Sequence, residues 1–464
     1  MLDILIVNGL YPDFGNYKTG KHNSGSSLKN ANIGIKDGKI DYIGDAEPNA
    51  AEVFNAEGLI VSPGFIDIHM HEERFLTEGK QFFASKCMLE MGVTTAVGGN
   101  CGTQRQPIDV FKGVLEELGG SPVNYMMQSG YNFFRTEMGV GHHESTSSEQ
   151  RIILRDKVMN EIAQGACGIS FGIEYDPSMS FEEMVFAVSL LDDPNYIVSA
   201  HYRDECHKNT DEVDEMIRFS AAIKPKFQIS HLSSGAAFGR MGECLDHINA
   251  AMDIDPGLNY DTYPYNAFST YIGSAVFEDG CLDTWGVDYD SIMLTSDPYK
   301  NIFCDEKIFH DARENHPNML AVAFVMKEDD IREAIVNPNG MVASDGIMAS
   351  GNGHPRIAGT FPRVLGKYVR EEKALPLIDA LRKMTLEPAE RMNLHKKGRI
   401  IEGCDADITI FNPDTIIDKA DFSHLEAPAG IVRVYNGGKL ALDNGIIISD
   451  RLGKFIPYQG NQSV

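Results

Sequence analysis

Two histidines, His69 and His71, stand at i and i+2 at the end of the apolar run Gly64-Phe65-Ile66-Asp67-Ile68. The run is too short for a helix, and in a strand residues i and i+2 project from one face. Both imidazoles then enter a single space. Neutral imidazole is the commonest metal ligand, so the pair reads as half of a metal site. Two surface histidines at the start of a loop would give the same local sequence.

Further ligand types follow apolar runs downstream. Cys101 follows Gly98-Gly99-Asn100, His201 closes Ile197-Val198-Ser199-Ala200, His231 closes Phe227-Gln228-Ile229-Ser230, and Asp345 closes Met341-Val342-Ala343-Ser344. One such residue at a strand end is more often packed or hydrogen-bonded than a ligand. Six of them on strands that converge argue jointly for a site. Thiolate and imidazole suit zinc, and three protein ligands with an open position leave room for water. Zinc lowers the pKa of that water to about 7, which makes a zinc-bound hydroxide available near neutral pH. Asp345 would hold or take the water proton and pass it to a leaving group, as general base and then acid.

The elements that must position these groups alternate. From Pro63 onward, short apolar runs are separated by helical segments, with candidate strands at 65–71, 94–99, 124–128, 167–172, 197–201, 227–231, 258–263 and 341–345. Phe82, Phe83, Cys87, Met88 and Met91 recur at helical spacing in the first connection. Alternating β and α elements imply a parallel sheet, and eight such units imply an α/β fold of the (β/α)8 barrel type. In such a barrel the carboxyl ends of the strands converge on one face, where all six ligands would meet. Residues 277–341 are too long for one crossover and read as an insertion near the mouth.

Both chain ends read as β structure. Ile4 to Gly9 ends in a turn signal, and Ala31 to Gly44 forms a hairpin around Asp37-Gly38. Lys18 to Asn30 is rich in Gly, Ser and Asn and reads as an excursion. Ala406–Phe411 and Ile431–Gly438 are strands again. Residues 1–61 and 396–464 are therefore expected to combine into one small β-sandwich, with the barrel at 62–395.

Composition excludes some classes. The 464 residues carry 67 acidic against 41 basic groups, a net charge of −26, which disfavours nucleic acid and anionic membranes as partners. The N-terminus lacks a signal-peptide pattern, and no apolar run is long enough to span a bilayer. The eight cysteines are scattered without a CxxC pair, as in a cytoplasmic chain with free thiols.

The run from Pro63 to His71, taken with His201, His231 and Asp345, resembles the amidohydrolase superfamily, and more narrowly its D-aminoacylase branch. The match is carried by Gly92-Val93-Thr94-Thr95 through Gly99-Asn100-Cys101-Gly102, Gly168 to Tyr175, His201 to Glu205, Tyr263-Pro264-Tyr265 and Ser344-Asp345-Gly346. His354-Pro355-Arg356 with Gly359-Thr360-Phe361-Pro362-Arg363 is the most branch-specific stretch. The resemblance implies a tight zinc site of Cys101, His201 and His231. It implies a weaker second site of His69, His71 and Asp345, with Asp345 also the catalytic acid/base. Tyr175, Tyr263, Ser269 and Arg356 fall where that branch contacts substrate. The implied reaction is hydrolysis of a small-molecule N-acyl amino acid, of D-configuration by resemblance. A cyclic amide hydrolase of hydantoinase type and a non-catalytic scaffold are the other readings, and a homo-oligomer stays open. Two departures bear on the substrate. Ser233 stands where the branch usually has a carboxylate-binding lysine, a role Arg203 or Arg356 would have to take over. Glu72 and Glu73 stand where it usually has two aspartates.

Overall fold

Residues 1–15, 26–203, 210–349 and 351–458 are described by the structure, a computed structural model. The fold is mixed α/β. Its centre is a set of short parallel strands, nearly all fully buried. Phe65–Asp67, Val93–Gly98 and Asn124–Met127 pair in that order. The short Ser129–Gly130 strand starts the next ladder, which runs through Gly168–Phe171, Ile197–Ala200, Lys226–Ile229 and Leu258–Thr262 to Met341–Val342. The two sets are tied at both ends. Cys167 N donates to Met127 O at 2.8 Å, Asp345 N to His69 O at 2.7 Å, and His71 N to Gly346 O at 2.9 Å. Each expected strand is present with its boundary within a few residues of the apolar run that defined it. Fully buried strands read as continuous Val/Ile/Phe runs because both faces are covered.

Helices cover these strands. Ala84–Glu90 packs through Met88 and Leu89, with Phe82 and Met91 buried beside it and Phe83 turned outward. Ser148–Ala163 begins with a capping box in which Ser147 and Gln150 satisfy each other's backbone amides. Ile108–Glu117, Asp211–Ala222 and Met241–Met252 turn apolar faces inward. Between Leu258–Thr262 and Met341–Val342 lies a separate antiparallel sheet in the order Phe268–Tyr271, Leu320–Ala323, Ile292–Leu294, Ile302–Phe303. Its first strand lies ahead of the expected insertion and passes directly beside the site.

The chain ends meet in two further sheets. Leu2–Val7, Asn32–Lys36, Lys39–Gly44 and Ala50–Asn55 form one; Asp37 (φ 50°) and Gly38 (φ 77°) make its hairpin turn, which requires two left-handed residues. A seven-stranded sheet joins Leu10–Asp13, Ser27–Asn30 and Ile60–Pro63 to Ile408–Phe411, Ile431–Asn436, Lys439–Asp443 and Ile446–Ile447. Ile4, Ile6, Ile33, Ile35 and Ile40 pack against Val61, Ile408 and Ile410 in one core. The Gly/Ser-rich excursion thus ends as a strand; its residues 16–25 lie outside the described residues. The last described segment leaves this region: Gly453 and Ile456 exchange backbone bonds with Ser121 and Tyr125. Among the described residues no helix is long and apolar enough to cross a membrane, and every described cysteine is unpaired.

Candidate metal centre and active site

Asp67, His69 and His71 alternate onto one face at the end of the first parallel strand, and all three are buried. His69 Nε2 lies 3.2 Å from Cys101 Sγ and 3.4 Å from Asp345 Oδ1. His71 Nε2 lies 3.3 Å from the same carboxylate oxygen. Ligand atoms of His69, His71, Cys101 and Asp345 all fall within 4.8 Å of one another. His231 Nε2 is 3.4 Å from Cys101 Sγ, and the His201 ring stacks 5.4 Å from that of His231. The structure therefore gathers four of the six expected ligands, His69, His71, Cys101 and Asp345, into one compact group, with His231 against Cys101 and His201 stacked behind His231.

Three of the four imidazoles are oriented from behind. His69 Nδ1 is 3.1 Å from Asp261 Oδ1, His201 Nδ1 is 3.1 Å from Tyr202 O, and His231 Nδ1 is 2.6 Å from Ser234 Oγ. These partners turn the Nε2 lone pairs inward, the arrangement by which metal-binding imidazoles are held in one tautomer. His201 Nε2 is buried with no hydrogen-bond partner among the described residues. A buried polar atom without a partner is costly, and one aimed into a ring of thiol, imidazole and carboxylate fits a cation.

Backbone strain gathers at the same place. Cys101 (φ 52°), His231 (φ 33°) and Asp345 (φ 48°) are left-handed although none is glycine. Such residues cost on the order of 1–3 kcal/mol each and persist where the surroundings over-determine them. Gly99 and Gly102 flank Cys101 with φ near +70°, and a Cβ on either would come within about 2.0 Å of Gln128 O or Asn132 Oδ1. The turn that presents the thiol cannot carry side chains at those two positions.

Electrostatics follow from burial and pairing. Burial pushes the Cys101 thiol up to about 11, so a thiolate here needs strong neighbouring positive charge, as a divalent cation supplies. Burial likewise lowers His71 and His201 to about 4 and leaves them neutral, the form that binds metal. For Asp345, burial favours the acid form, but Arg356 and His231 outweigh it and hold the carboxyl well below its usual range. Arg356 Nη1 sits 2.9 Å from Asp345 Oδ2, an ion pair that lacks hydrogen-bond alignment, while Nη2 donates to Ser269 O at 3.1 Å.

The four expected substrate contacts surround this group. Tyr175 packs its ring 4.9 Å from that of His201 and accepts from Thr270 Oγ1 at 3.2 Å. Tyr263 is fully buried under the Arg356 guanidinium, 4.7 Å from its ring centre. Ser269 Oγ is buried without a hydrogen-bond partner among the described residues.

Sequence reasoning missed several groups. Asp261 accepts from His231 N and from Gln228 Nε2 besides facing His69. Its one visible signal was an acid two residues before Tyr263, on the same strand face. Asp67 Oδ1 accepts from His69 N and Ser344 N and so ties together the strands that carry His69 and Asp345. His354 donates from Nε2 to Ala267 O and accepts at Nδ1 from Arg356 N, which fixes where Arg356 begins its helix.

Comparison with known proteins agrees with this geometry. Two Amidohydrolase family models match, one over residues 60–261 and the other over residues 297–441. A D-aminoacylase of Alcaligenes xylosoxydans xylosoxydans is 30% identical over 94% of this chain and 93% of its own length. The chain belongs to the amidohydrolase family, in its D-aminoacylase branch. Among solved structures, an N-acyl-D-glutamate deacylase of Bordetella bronchiseptica, complexed with zinc and a phosphonate mimic of the tetrahedral intermediate, superposes with a TM-score of 0.84. It is 25% identical and covers 98% of this chain and 99% of that one. A D-aminoacylase studied for its binuclear metal centre matches equally well, at 26% identity and TM-score 0.84, covering 98% of this chain and 99% of that one.

Within this branch, the chain's departures fall into two kinds. Glu73 takes the amides of Phe83, Ala84 and Ser85 and thereby caps a helix, while Glu72 accepts from Gly99 N. Both acids are structural supports of the loops around the site. Ser233 is fully buried, with Oγ lacking a hydrogen-bond partner among the described residues. Arg203 does not stand in for the lysine absent there: it pairs with Glu215 at 2.7 Å and donates to the carbonyls of Pro177 and Met179. The exposed His142 and His143 pair with Asp176 and Glu278 outside the centre, and Cys206 and His207 lie outside the described residues.

Proposed function

We propose that this protein hydrolyses the amide bond of N-acyl-D-amino acids at a zinc centre. Cys101, His201 and His231 would hold the tight ion, and His69, His71 and Asp345 a weaker second one. The observation that carries the reading is the convergence of Cys101 Sγ with the Nε2 atoms of His69 and His231 beside the Asp345 carboxylate. The near full-length likeness to D-aminoacylases supports the substrate class.

When bound, zinc would acidify a water and polarise the amide carbonyl. Asp345 accepts the water proton at its carboxylate and later delivers it to the departing amine nitrogen. Arg356 keeps Asp345 ionised beforehand and makes the protonated form a strong acid once formed. Tyr175, Tyr263 and Ser269 line the space next to this carboxylate and hold the amide and the amino acid. Ser269 Oγ, buried without a partner among the described residues, is a donor for a substrate oxygen.

In the same reading, the parallel strands close into an eight-stranded barrel through the bonds between 69–71 and 345–346. Residues 62–395 form that barrel, and 1–61 with 396–464 form a composite β-sandwich. Amine release from paired N-acetyl-D- and N-acetyl-L-methionine tests the function. Turnover confined to the D-substrate is expected. Turnover of the L-form, or of hydantoins alone, contradicts it.

A further inference from the structure

Two arginines at the His71 edge of the centre have no part in the chemistry above. Arg74 follows Glu72 and Glu73, and Arg105 follows the Cys101 loop. Tyr271 lies against both, with its ring centre 5.0 Å from Arg74 Cζ and 5.7 Å from Arg105 Cζ. Arg74 is tied down, since it donates to the Tyr271 hydroxyl and faces Glu78 at 3.6 Å. Arg105 rests its guanidinium on the Tyr271 ring and is anchored through its backbone: its N–H donates to Glu72 Oε1, and the other oxygen of Glu72 is taken by Gly99 N. Among the described residues, no acceptor bonds the half-buried Arg105 guanidinium.

The pair lies close to the reacting groups. Thr103, two residues before Arg105, places its Oγ1 3.5 Å from His71 Nδ1. Tyr271 and Ser269 are two residues apart on one strand, about 7 Å along it, and Ser269 O holds Arg356. One strand therefore carries two separate cationic stations, one at Asp345 and one at the His71 edge. A guanidinium presents a planar fork of donors matched to a carboxylate. Two neighbouring cations with one fork unmatched suit the arrival of an anion.

We propose that Arg105, backed by Arg74, binds a second carboxylate of the substrate, apart from any group near Arg356. That carboxylate belongs either to an acidic D-amino acid side chain or to a dicarboxylic acyl group. The inference rests on the N-acyl-D-amino acid reading.

The test uses the zinc-loaded wild type, Arg105→Gln and Arg105→Lys with N-acetyl-D-glutamate, N-succinyl-D-methionine and N-acetyl-D-methionine. The wild type should favour one of the two dicarboxylates through KM, and which one it favours names the source of the acid. Arg105→Gln should raise that KM by about 10- to 100-fold, the range for a charge-assisted contact, with kcat and the N-acetyl-D-methionine KM little changed. Arg105→Lys should recover part of the loss. Equal KM values for all three substrates in the wild type, or a uniform rise in Arg105→Gln, overturn the proposal. Should none of the three turn over, the hydrolase reading fails, and calorimetric binding of glutarate then decides. Binding at least about tenfold weaker in Arg105→Gln sustains the anion station, and equal or absent binding overturns it.

Discussion

Arg135 and Arg356 are the largest fully buried side chains, and they belong to opposite kinds of polar cluster. Arg135 reaches Asp176 at 3.2 Å, Glu183 at 2.5 Å and Glu144 O at 2.8 Å. Its partners are satisfied in turn: Glu183 accepts from Tyr131 and Thr146, and Asp176 from Asn132. In this cluster donors meet acceptors. Around Arg356 the pattern is the reverse. Lone pairs of thiol, imidazole and carboxylate face one another, His201 Nε2 and Ser269 Oγ lack partners among the described residues, and Cys101, His231 and Asp345 sit on left-handed backbone. Burial of charge is common to both, so burial does not identify a site. A cluster that is complete in itself is structural, whereas one whose acceptors converge is organised for a cation and a substrate.

Variants should separate the two clusters. The largest effect is expected for Asp345→Asn, with kcat lower by roughly 10³-fold, within the range for general acid–base groups. The tight-site zinc, held without Asp345, should stay bound, as read by elemental analysis alongside a turnover assay. Retained turnover would remove Asp345 from its role. Cys101→Ala should lose the tight metal while keeping its far-UV spectrum, and full occupancy in the purified variant would contradict its place as a ligand.

Glu183→Gln acts on the other cluster. Removing one of the two buried carboxylates paired with Arg135, while Asp176 stays in place, should cost about 1.5–3 kcal/mol, seen as a lower Tm, with metal content unchanged in the folded fraction. A variant with normal Tm but lost zinc would erase the distinction between the regions.

Asp261→Asn should weaken zinc binding by about 10- to 100-fold, as removal of a partner behind a metal-bound histidine does. Competition with a chromophoric chelator measures this. The smallest effect is expected for Ser269→Ala, whose KM should rise by about 3- to 10-fold, the loss of one neutral hydrogen bond, at constant kcat.

What was legible in the sequence follows from how locally each feature is specified. The parallel strands were visible because strands buried on both faces are continuous apolar runs, and the ligands because they punctuate those runs. The helix at Ala84–Glu90 was visible as periodic Phe, Cys and Met. Roles set by distant partners were not visible. Nothing near Glu73 shows that it caps a helix, nor near Arg203 that Glu215 is its partner. Asp261 and His354 act on His69 and Arg356, groups far away in the chain, and only the fold brings them together. The strand Phe268–Tyr271 that walls the site was equally hidden, because its pairing partner, Leu320–Ala323, lies far along the chain.

The most direct test is a metal titration of turnover. Protein stripped with a chelator should release no amine from N-acetyl-D-methionine, and stepwise zinc should restore the rate in proportion to occupancy of the tight site. A stripped protein that turns over at the full rate would contradict the account that these converging residues form a metal-dependent hydrolytic centre.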